Sequence, residues 1–420
     1  MHQRSAEAEL DKHLAKPMRV AYAGFDPTSD SLHIGNLIPI TLLKHFQRAG
    51  HKPIILMGGG TGLIGDPSGR DDERSLLTRE VVDANVASQK RIMEKLLDFD
   101  PALPNAAIVV NNIDWLDKLG FIEILRGVGK HFSINEMMQR ESVKRRLEQR
   151  EYGMSYTEFS YMILQAYDFL HLRREFDCTV QLAGSDQYGN MLSGLDLIRR
   201  EYGQDDAQAF ALTAPLVTRS DGKKMSKSEG TALWLSSDTE HATSPYAFYQ
   251  YWLNLPDADV VQWLKWYTLL DSSEIQEIAS KQDAAPQERA AQRALAASMT
   301  EMLHSKAQLS KVQSASQALF SGDIQSLDED MLSQVFADVP HSLHNKSLLE
   351  GEGVSAVEVL IETSLASSKR EAKEFLGNGA ISINGSRAET GRMLLRGDLL
   401  HGRTILVRRG KKLWHATRWE

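Results

Sequence analysis

Strand-like and helix-like stretches alternate along the first half of the chain, and this order limits the fold more than any other feature. Each short apolar stretch is followed by a longer stretch with helical periodicity. Such alternation predicts an α/β fold, a parallel sheet covered on both faces by helices. The predicted strands are Arg19–Phe25, Pro53–Met57, Ala107–Val110 and Thr179–Leu182, and the predicted helices are Ile34–Gly50, Arg79–Leu97, Leu116–Arg126 and about Gln187–Arg199. Ligands of such sheets bind beyond the carboxyl ends of the strands.

The second half of the chain changes character twice. Residues 244–320 lose the strand signals and show helical periodicity, and residues 321–352 are acidic and Ser-rich, as in a linker or a loosely packed segment. A small α+β unit follows, with a helix at Lys369–Leu376, a strand at Ala380–Ile383 and a turn at Asn384-Gly385. We predict a catalytic domain over 1–220, a loop region over 221–235, a helical domain over 236–320, a linker over 321–352 and a small domain over 353–420.

The net charge of −8 is unevenly distributed. Residues 366–420 hold 12 Lys and Arg against 5 Asp and Glu, a balance of +7 on an otherwise acidic chain. This favours an appendage that binds nucleic acid or an acidic surface. A solvated basic face explains the same counts, so charge alone leaves both interpretations open.

The composition also bears on the compartment. Cys178 is the one cysteine, which excludes an intramolecular disulfide. The longest apolar runs are too short to cross a bilayer. The N-terminal residues include Glu7, Glu9 and Asp11 and lack the apolar core of a signal peptide. We therefore expect a cytoplasmic protein with no membrane association.

One glycine motif is misleading. Residues 60–65 fit the pattern G-x-G-x-x-G and follow a strand, as in dinucleotide-binding proteins. A dinucleotide site needs a helix to start there, whereas the following residues, Asp66-Pro67-Ser68-Gly69, are typical of a turn. This context argues against an NAD site.

Two short motifs carry residues suited to phosphate chemistry. His33-Ile34-Gly35-Asn36 lies where a strand and a turn run into a helix, whose first N–H groups favour anions. Gly35 would allow a ligand to approach the backbone closely. By itself, however, a histidine in a first turn is more often a polar surface residue. Lys224-Met225-Ser226-Lys227-Ser228 has the composition of a mobile loop over phosphates.

Taken together, these motifs resemble the two signature motifs of the class I aminoacyl-tRNA synthetases, which have a Rossmann-like catalytic domain. Three longer strings resemble the tyrosyl branch in particular: residues 22–28, residues 65–69 and residues 184–190. The similarity covers essentially the whole chain, and its C-terminal unit resembles an S4 RNA-binding domain. The chain departs from the family pattern at Asn36, which replaces a histidine, and at Tyr188, which replaces a tryptophan.

A phenol pocket is supported independently by the segment Phe159–Leu170. The segment is helical in pattern and follows Ser155-Tyr156-Thr157-Glu158, a capping-box sequence. Asp168 is its only charge and shares one stripe with Tyr161 and Gln165. A lone Asp on an apolar helix is costly unless it has a partner. A buried structural Asp that caps another element is the alternative to a binding site.

The resemblance implies roles for the substrate-binding residues. Tyr22 and Asp168 would hold the hydroxyl of L-tyrosine, with Tyr22 also the expected partner of Asp168, while Asp66, Tyr161 and Gln165 would hold the ammonium and Gln187 would lie beside the carboxylate. The ATP-binding residues would be Gly24, Asp26, Gly35, Gly184, Asp186, Lys224 and Lys227. The catalytic contacts to ATP would come from Thr28, His33, Asn36, Lys224 and Lys227, with a weaker expectation for Arg70 and Arg74.

The resemblance also implies a reaction and its partners. The tyrosine carboxylate would attack the α-phosphorus of ATP, and the aminoacyl group would then pass to the 3′ end of tRNA(Tyr). Mg²⁺ would accompany ATP, and we expect no permanently bound cofactor and no protein metal site. The protein would be a homodimer, and its RNA-binding residues would be Ser368, Lys369, Arg370, Lys373 and Arg387.

Two rival interpretations remain at this point. A tryptophanyl relative shares both signature motifs, but Tyr22, Asp168 and the S4-like unit argue against it. An RNA-binding paralogue without catalysis is the other rival, and the intact residues His33 and Lys224–Ser228 argue against that loss.

Overall fold

The computed structural model describes residues 3–67, 76–140, 143–144, 154–203, 207–216, 232–410 and 413–420. The chain divides into two compact units. The first comprises Met1–Thr243 and Trp252–Leu303, and the second comprises Ser244–Tyr251 and His304–Glu420. In the described ranges, every helix is too short or too polar to span a bilayer.

A six-stranded sheet forms the centre of the first unit. Its strands are β1 (Gln3–Arg4), β2 (Val20–Phe25), β3 (Lys52–Met57), β4 (Ile108–Asn111), β5 (Cys178–Gly184) and β6 (Phe210–Ala214). They lie in the order β1-β6-β5-β2-β3-β4, and all neighbours are parallel except β1 and β6. The chain winds outward from β2 to β4 and returns to the other side of β2 with β5. The winding therefore reverses between β2 and β5, where sheets of this class bind ligands.

The helices of this unit are α1 (Glu7–Leu14), α2 (Ile34–Arg48), α3 (Arg79–Leu96), α4 (Ile113–Leu116), α5 (Phe121–Glu123), α6 (Ile134–Gln139), α7 (Tyr156–Phe176), α8 (Tyr188–Tyr202), α10 (Asp257–Tyr267), α11 (Ser272–Ala284) and α12 (Ala290–His304). Helix α9 (Pro245–Leu253) lies mostly in the second unit, which includes Ser244–Tyr251. The predicted α/β alternation is confirmed. Buried Tyr22, Phe169 and Leu195 belong to one apolar cluster, which joins the sheet to α7 and α8.

Helix α7 begins where its sequence predicts. Ser155 caps the helix by accepting a hydrogen bond from the Glu158 backbone N–H at 3.2 Å. Asp177 ends it in the left-handed conformation, with φ of 51°. The cap fixes the helix start, so Tyr161, Gln165 and Asp168 all reach one cavity.

The predicted helix over Leu116–Arg126 is wrong in its extent. Helix α4 ends at Leu116, the chain turns through Gly120, and α5 is followed by a π-helical turn at Ile124–Val128. The helical periodicity of the sequence continues through this stretch and gives no sign of the break, which begins after the single turn of α4.

The glycine motif after β3 leads into a single 3₁₀ turn, Thr61–Leu63, and not into an α-helix. Gly65 follows with φ of 87°, a left-handed conformation. Over the described residues 60–67 the motif is therefore not followed by the α-helix that a dinucleotide fingerprint requires.

The second unit contains a five-stranded sheet with the order β10-β9-β12-β13-β7. Its elements are α13 (Lys306–Ser321), α14 (Glu329–Val335), β7 (His341–His344), β8 (Val354–Ser355), α15 (Ala356–Glu362), α16 (Lys369–Gly377), β9 (Ile381–Ile383), β10 (Ser386–Arg387), β11 (Met393–Leu394), β12 (Thr404–Arg409) and β13 (Leu413–Trp419). Strand β7 pairs with β13, so the segment predicted as a linker contributes a strand to this sheet.

The predicted turn at Asn384-Gly385 joins β9 to β10 as a tight hairpin. Both residues have positive φ, 48° and 86°, as a type I′ turn requires. The Asn384 amide is buried and donates to the Asp398 carbonyl at 2.6 Å, while its oxygen accepts from the Leu406 N–H at 2.9 Å. The turn is therefore held from both sides.

Candidate active site

A cavity of about 420 Å³ lies at the carboxyl ends of β2 and β5. Its volume is in the range of small-molecule sites. It brings together every predicted tyrosine and ATP residue that the structure describes: Tyr22, Gly24, Asp26, Thr28, His33, Gly35, Asn36, Asp66, Tyr161, Gln165, Asp168, Gly184, Asp186 and Gln187. These residues come from β2, β5, α2, α7 and the turns beside them.

Asp168 is a buried carboxylate held by two neutral donors. Asp168 is only 2% exposed to solvent. The Asn112 amide donates to Oδ2 at 2.9 Å, and the Trp115 indole N–H donates to Oδ1 at 2.8 Å. Both donors come from the segment that follows β4. The expectation that Tyr22 is the partner of Asp168 is therefore corrected, because α4 and the residue before it supply the partners.

Burial dominates the acidity of Asp168. It raises the pKa of this carboxyl from 3.8 to about 7, although the hydrogen bonds from Asn112 and Trp115 lower it. The charge of Asp26 raises it further. The carboxyl thus titrates near neutral pH, where it can accept a hydrogen bond in its ionised form.

Tyr22 presents a buried hydroxyl to the same cavity. The residue is 1% exposed, and among the described residues its hydroxyl has no hydrogen-bond partner. Burial, and then the charge of Asp168, raise the pKa of this phenol well above its usual value. A buried hydroxyl without a partner is costly, and a ligand oxygen in the cavity would satisfy it.

A chain of hydrogen bonds links this end of the cavity to the turn after β2. The Tyr161 hydroxyl donates to Asp26 Oδ2 at 2.8 Å, and the Thr61 hydroxyl donates to Asp26 Oδ1 at 2.8 Å. Thr61 in turn accepts from the Asn112 amide at 3.0 Å, and Asn112 reaches Asp168. Two carboxylates of the site are therefore joined through Thr61 and Asn112.

A second network lies around Asp66. The Gln187 amide donates to Asp66 Oδ2 at 2.7 Å. The Asn190 amide donates to Gln165 Oε1 at 3.0 Å and to Gln187 Oε1 at 3.2 Å. Because Asn190 donates to the side-chain oxygens of Gln165 and Gln187, the orientation of both amide groups is fixed. The NH₂ group of Gln187 is then directed at Asp66.

The histidine motif forms the start of α2. His33 Nδ1 accepts from the Gly35 N–H at 3.0 Å, and Asn36 Oδ1 accepts from the His33 N–H at 3.0 Å. This is a reciprocal capping box. A Cβ on Gly35 would lie 2.8 Å from the His33 ring, so only glycine leaves room for this cap. Because Nδ1 accepts, the neutral ring carries its proton on Nε2.

The sequence resembles known proteins along its whole length. Residues 15–321 match the class I tRNA synthetases (W and Y), and residues 331–417 match the tyrosine–tRNA ligase SYY-like C-terminal domain. A tyrosine–tRNA ligase of Staphylococcus haemolyticus is 46% identical over 421 residues, 100% of this chain and 97% of the relative. One of Bacillus velezensis is 47% identical over 413 residues, 98% of this chain and 95% of the relative.

The chain belongs to the tyrosine–tRNA ligase family. The first family description covers tryptophan and tyrosine enzymes alike, so the full-length relatives decide between the two. A C-terminally truncated mitochondrial tyrosyl-tRNA synthetase of Aspergillus nidulans has a similar structure, with a TM-score of 0.65 at 31% identity. The match covers 75% of this chain and 90% of that one. The chain is accordingly an aminoacyl-tRNA ligase with a Rossmann-like catalytic fold.

Sequence reasoning missed Asn112, Trp115 and Thr61, which donate to carboxylates of the site, and Asn190, which donates to Gln165 and Gln187. Their signal is weak, because each is a single polar residue in a stretch without a repeated pattern. Asn85 and Gln89 were missed as well. They lie one turn apart on α3 and donate at 2.9 Å to the carbonyls of Pro27 and Ser29, which holds the turn after β2.

Several predicted residues lie away from the cavity or outside the described residues. Lys224, Lys227, Arg70 and Arg74 belong to the segments 217–231 and 68–75, which the structure does not describe. The predicted RNA-binding residues lie in the second unit and are all exposed: Ser368, Lys369, Arg370, Lys373 and Arg387. Ser368 caps α16 by accepting from the Glu371 N–H at 3.2 Å.

Proposed function

We propose that the cavity is the site where this ligase activates L-tyrosine with ATP and from which tyrosine passes to tRNA(Tyr). The observation that carries this proposal is the pair of buried groups Asp168 and Tyr22. The hydroxyl of the substrate phenol would donate a hydrogen bond to the Asp168 carboxylate and accept a hydrogen bond from the Tyr22 hydroxyl. Phenylalanine would leave the Tyr22 hydroxyl unpaired and the Asp168 carboxylate one donor short, at a cost of about 1–3 kcal/mol for the neutral buried hydroxyl and more for the charged group.

The ammonium of tyrosine would bind at Asp66, Tyr161 and Gln165. Asp66 supplies a carboxylate, and Tyr161 and Gln165 supply oxygens on the stripe of α7. Gln187 already donates to Asp66 and would lie beside the reacting carboxylate. This arrangement would place the amino acid along α7, with its hydroxyl at Asp168 and its carboxylate toward β5.

ATP would occupy the part of the cavity formed by the ends of β2 and β5 and the start of α2. Gly24, Gly35 and Gly184 would allow the nucleotide close to the backbone, with Asp26 and Asp186 beside it. Thr28 and His33 would contact the phosphates. Lys224 and Lys227 would supply the charge that the transferring group requires.

The first step would be in-line attack of the tyrosine carboxylate on the α-phosphorus of ATP. The new bond joins a carboxylate oxygen to phosphorus, and pyrophosphate leaves with the electron pair. The carboxylate is already ionised, so the step needs no general base, and positioning and charge stabilisation supply the catalysis. A terminal ribose hydroxyl of the tRNA then attacks the acyl carbon, and AMP leaves. Mg²⁺ would enter as the complex with ATP, where phosphate oxygens and water are its ligands.

The second unit would bind the tRNA through the exposed cations of α16 and Arg387. Most of this affinity would come from phosphate contacts and would decrease with salt. We further propose that the protein is a cytoplasmic homodimer. The predicted helical region would approach the anticodon arm.

Amino-acid-dependent exchange of pyrophosphate into ATP tests the proposal. We expect exchange with tyrosine and none above background with tryptophan. Exchange with tryptophan alone would assign the site to the other amino acid of this family. A full-length protein that binds tRNA but supports no exchange with either amino acid would be an RNA-binding relative without catalysis.

A further inference from the structure

The position of the Asp168 carboxylate depends on the orientation of one indole ring. Trp115 supplies one of the two hydrogen bonds to Asp168, from Nε1 to Oδ1 at 2.8 Å. Trp115 lies on α4, a helix of only four residues. So short a helix is not stable by itself and must be held by tertiary packing. The side chains that pack on Trp115 therefore help to determine where its N–H points.

His171 packs flat against Trp115. The ring centroids are 4.2 Å apart and the ring planes differ by 20°, which is a stacked arrangement. His171 lies on α7 three residues after Asp168, so both side chains project from the same side of that helix. Helix α7 thus holds Trp115 at two points, at the indole N–H through Asp168 and at the indole face through His171.

We propose that His171 is a positioning residue, which keeps the Trp115 indole N–H directed at Asp168 and thereby sharpens the discrimination of tyrosine from phenylalanine. The inference rests on the proposed function, in which Asp168 receives the substrate hydroxyl. If the stack is lost, the indole can rotate and Asp168 loses a donor. The carboxylate then has a less defined position and a poorer match to a phenol, while a substrate without a hydroxyl is unaffected.

The environment of His171 suits a neutral stacked ring. Burial lowers the pKa of this imidazole, with Glu175 raising it and Arg174 lowering it. His171 and Trp115 line an open groove of about 470 Å³, together with apolar residues such as Val109 and charged residues such as Glu175, and neither of them lines the substrate cavity. His171 can therefore contact Trp115 without contacting the substrate, and its effect on the substrate must pass through the indole.

A role in packing alone would make a different prediction from a role in positioning. Removal of a packing residue lowers stability but leaves the ratio of kcat/KM for tyrosine to that for phenylalanine unchanged. Removal of a positioning residue lowers this ratio, chiefly by raising the KM for tyrosine. Aromatic pairs contribute about 0.5–1.5 kcal/mol beyond their buried area, which corresponds to a decrease of about two- to twelvefold in the ratio.

The test measures pyrophosphate exchange with tyrosine and with phenylalanine in the full-length chain. His171→Leu removes the flat ring but keeps apolar volume, and we expect the ratio to fall. His171→Phe keeps a flat ring, and we expect the ratio to return. The matched control is His51→Leu, since His51 is a buried histidine of the same unit whose ring contacts Phe46 at 4.7 Å. This control should lose thermal stability and keep the ratio.

A double-mutant cycle shows whether His171 acts through the indole. In Trp115→Phe the N–H is absent, so His171→Leu should cause no further decrease in the ratio. The proposal is overturned if His171→Leu leaves the ratio unchanged or if His171→Phe fails to restore it. It is also overturned if the effects of His171→Leu and Trp115→Phe on the ratio add. A wild-type protein that does not exchange pyrophosphate with tyrosine would instead overturn the proposed function. The two failures are therefore distinguishable.

Discussion

Tyrosine binding should weaken steeply as the pH falls below 7. The pKa of Asp168 is raised to about 7, mainly because the carboxyl is buried. In the proposed function a substrate hydroxyl donates a hydrogen bond to this group, and that bond is much stronger to the ionised form than to the protonated acid. Tyrosine should therefore bind the ionised protein more tightly, and its own hydrogen bond should lower the pKa of Asp168 in the complex. The direction follows directly: protonation of Asp168 and binding of tyrosine oppose each other.

The size of the effect follows from the ionised fraction. With a pKa of about 7, Asp168 is about nine-tenths ionised at pH 8 and about one-tenth ionised at pH 6. The apparent Kd is the intrinsic Kd divided by the fraction of protein able to bind. The Kd for tyrosine should therefore be up to about tenfold higher at pH 6 than at pH 8, and should approach a constant value above pH 8.

Calorimetric titration of tyrosine between pH 5.5 and 8.5 measures this dependence. Asp168→Asn is the matched control, because it keeps the shape of the side chain and every other titratable group of the site. The variant should bind tyrosine more weakly but with nearly constant Kd. A flat profile in the wild-type protein, or an equal slope in Asp168→Asn, would refute the assignment of the titration to Asp168.

Three further outcomes are expected. Thr61→Val should lower stability by about 2 kcal/mol, because the Asp26 carboxylate loses a part-buried hydrogen bond; a thermal midpoint equal to that of the wild type would contradict this. Gly385→Ala should lower the thermal midpoint, because φ is 86° and the new Cβ would lie 1.9 Å from the Gly322 carbonyl oxygen. Gly391→Ala has the same φ but open space around it, so it should cost less. Charge reversal at three cations of α16, Lys369, Arg370 and Lys373, should weaken tRNA binding and reduce its dependence on salt. Pyrophosphate exchange should stay intact.

The sequence predicted those parts of the fold that depend on local patterns. The strand and helix alternation, the Ser155 cap and the Asn384-Gly385 turn each follow from rules that act within a few residues, and each is confirmed. The predicted helix over Leu116–Arg126 failed for the same reason. Its apolar periodicity continues across the break, although α4 ends at Leu116 after one turn.

The candidate site shows the same division. Asp168 was identifiable because a single charge on an apolar helix violates a local expectation. Its partners Asn112 and Trp115 were not identifiable, since they lie 56 and 53 residues before it in the sequence. Nothing in the local pattern marks an Asn or a Trp after β4 as a donor to α7. Only the parallel pairing of β3 and β4 brings that segment to the cavity.

The choice of donors around Asp168 has a consequence for selectivity. An Arg or Lys partner would lower the pKa of the carboxyl well below 7 and would satisfy much of its charge. The amide of Asn112 and the indole of Trp115 fix both oxygens in place but are neutral. The carboxylate therefore remains a strong acceptor inside a buried site, and its pKa stays near 7. A substrate hydroxyl is then favoured by geometry and by charge, whereas a substrate without one leaves a desolvated carboxylate one donor short. In the proposed function, this arrangement would let one buried carboxylate of the site, Asp168, select a phenol over a phenyl ring.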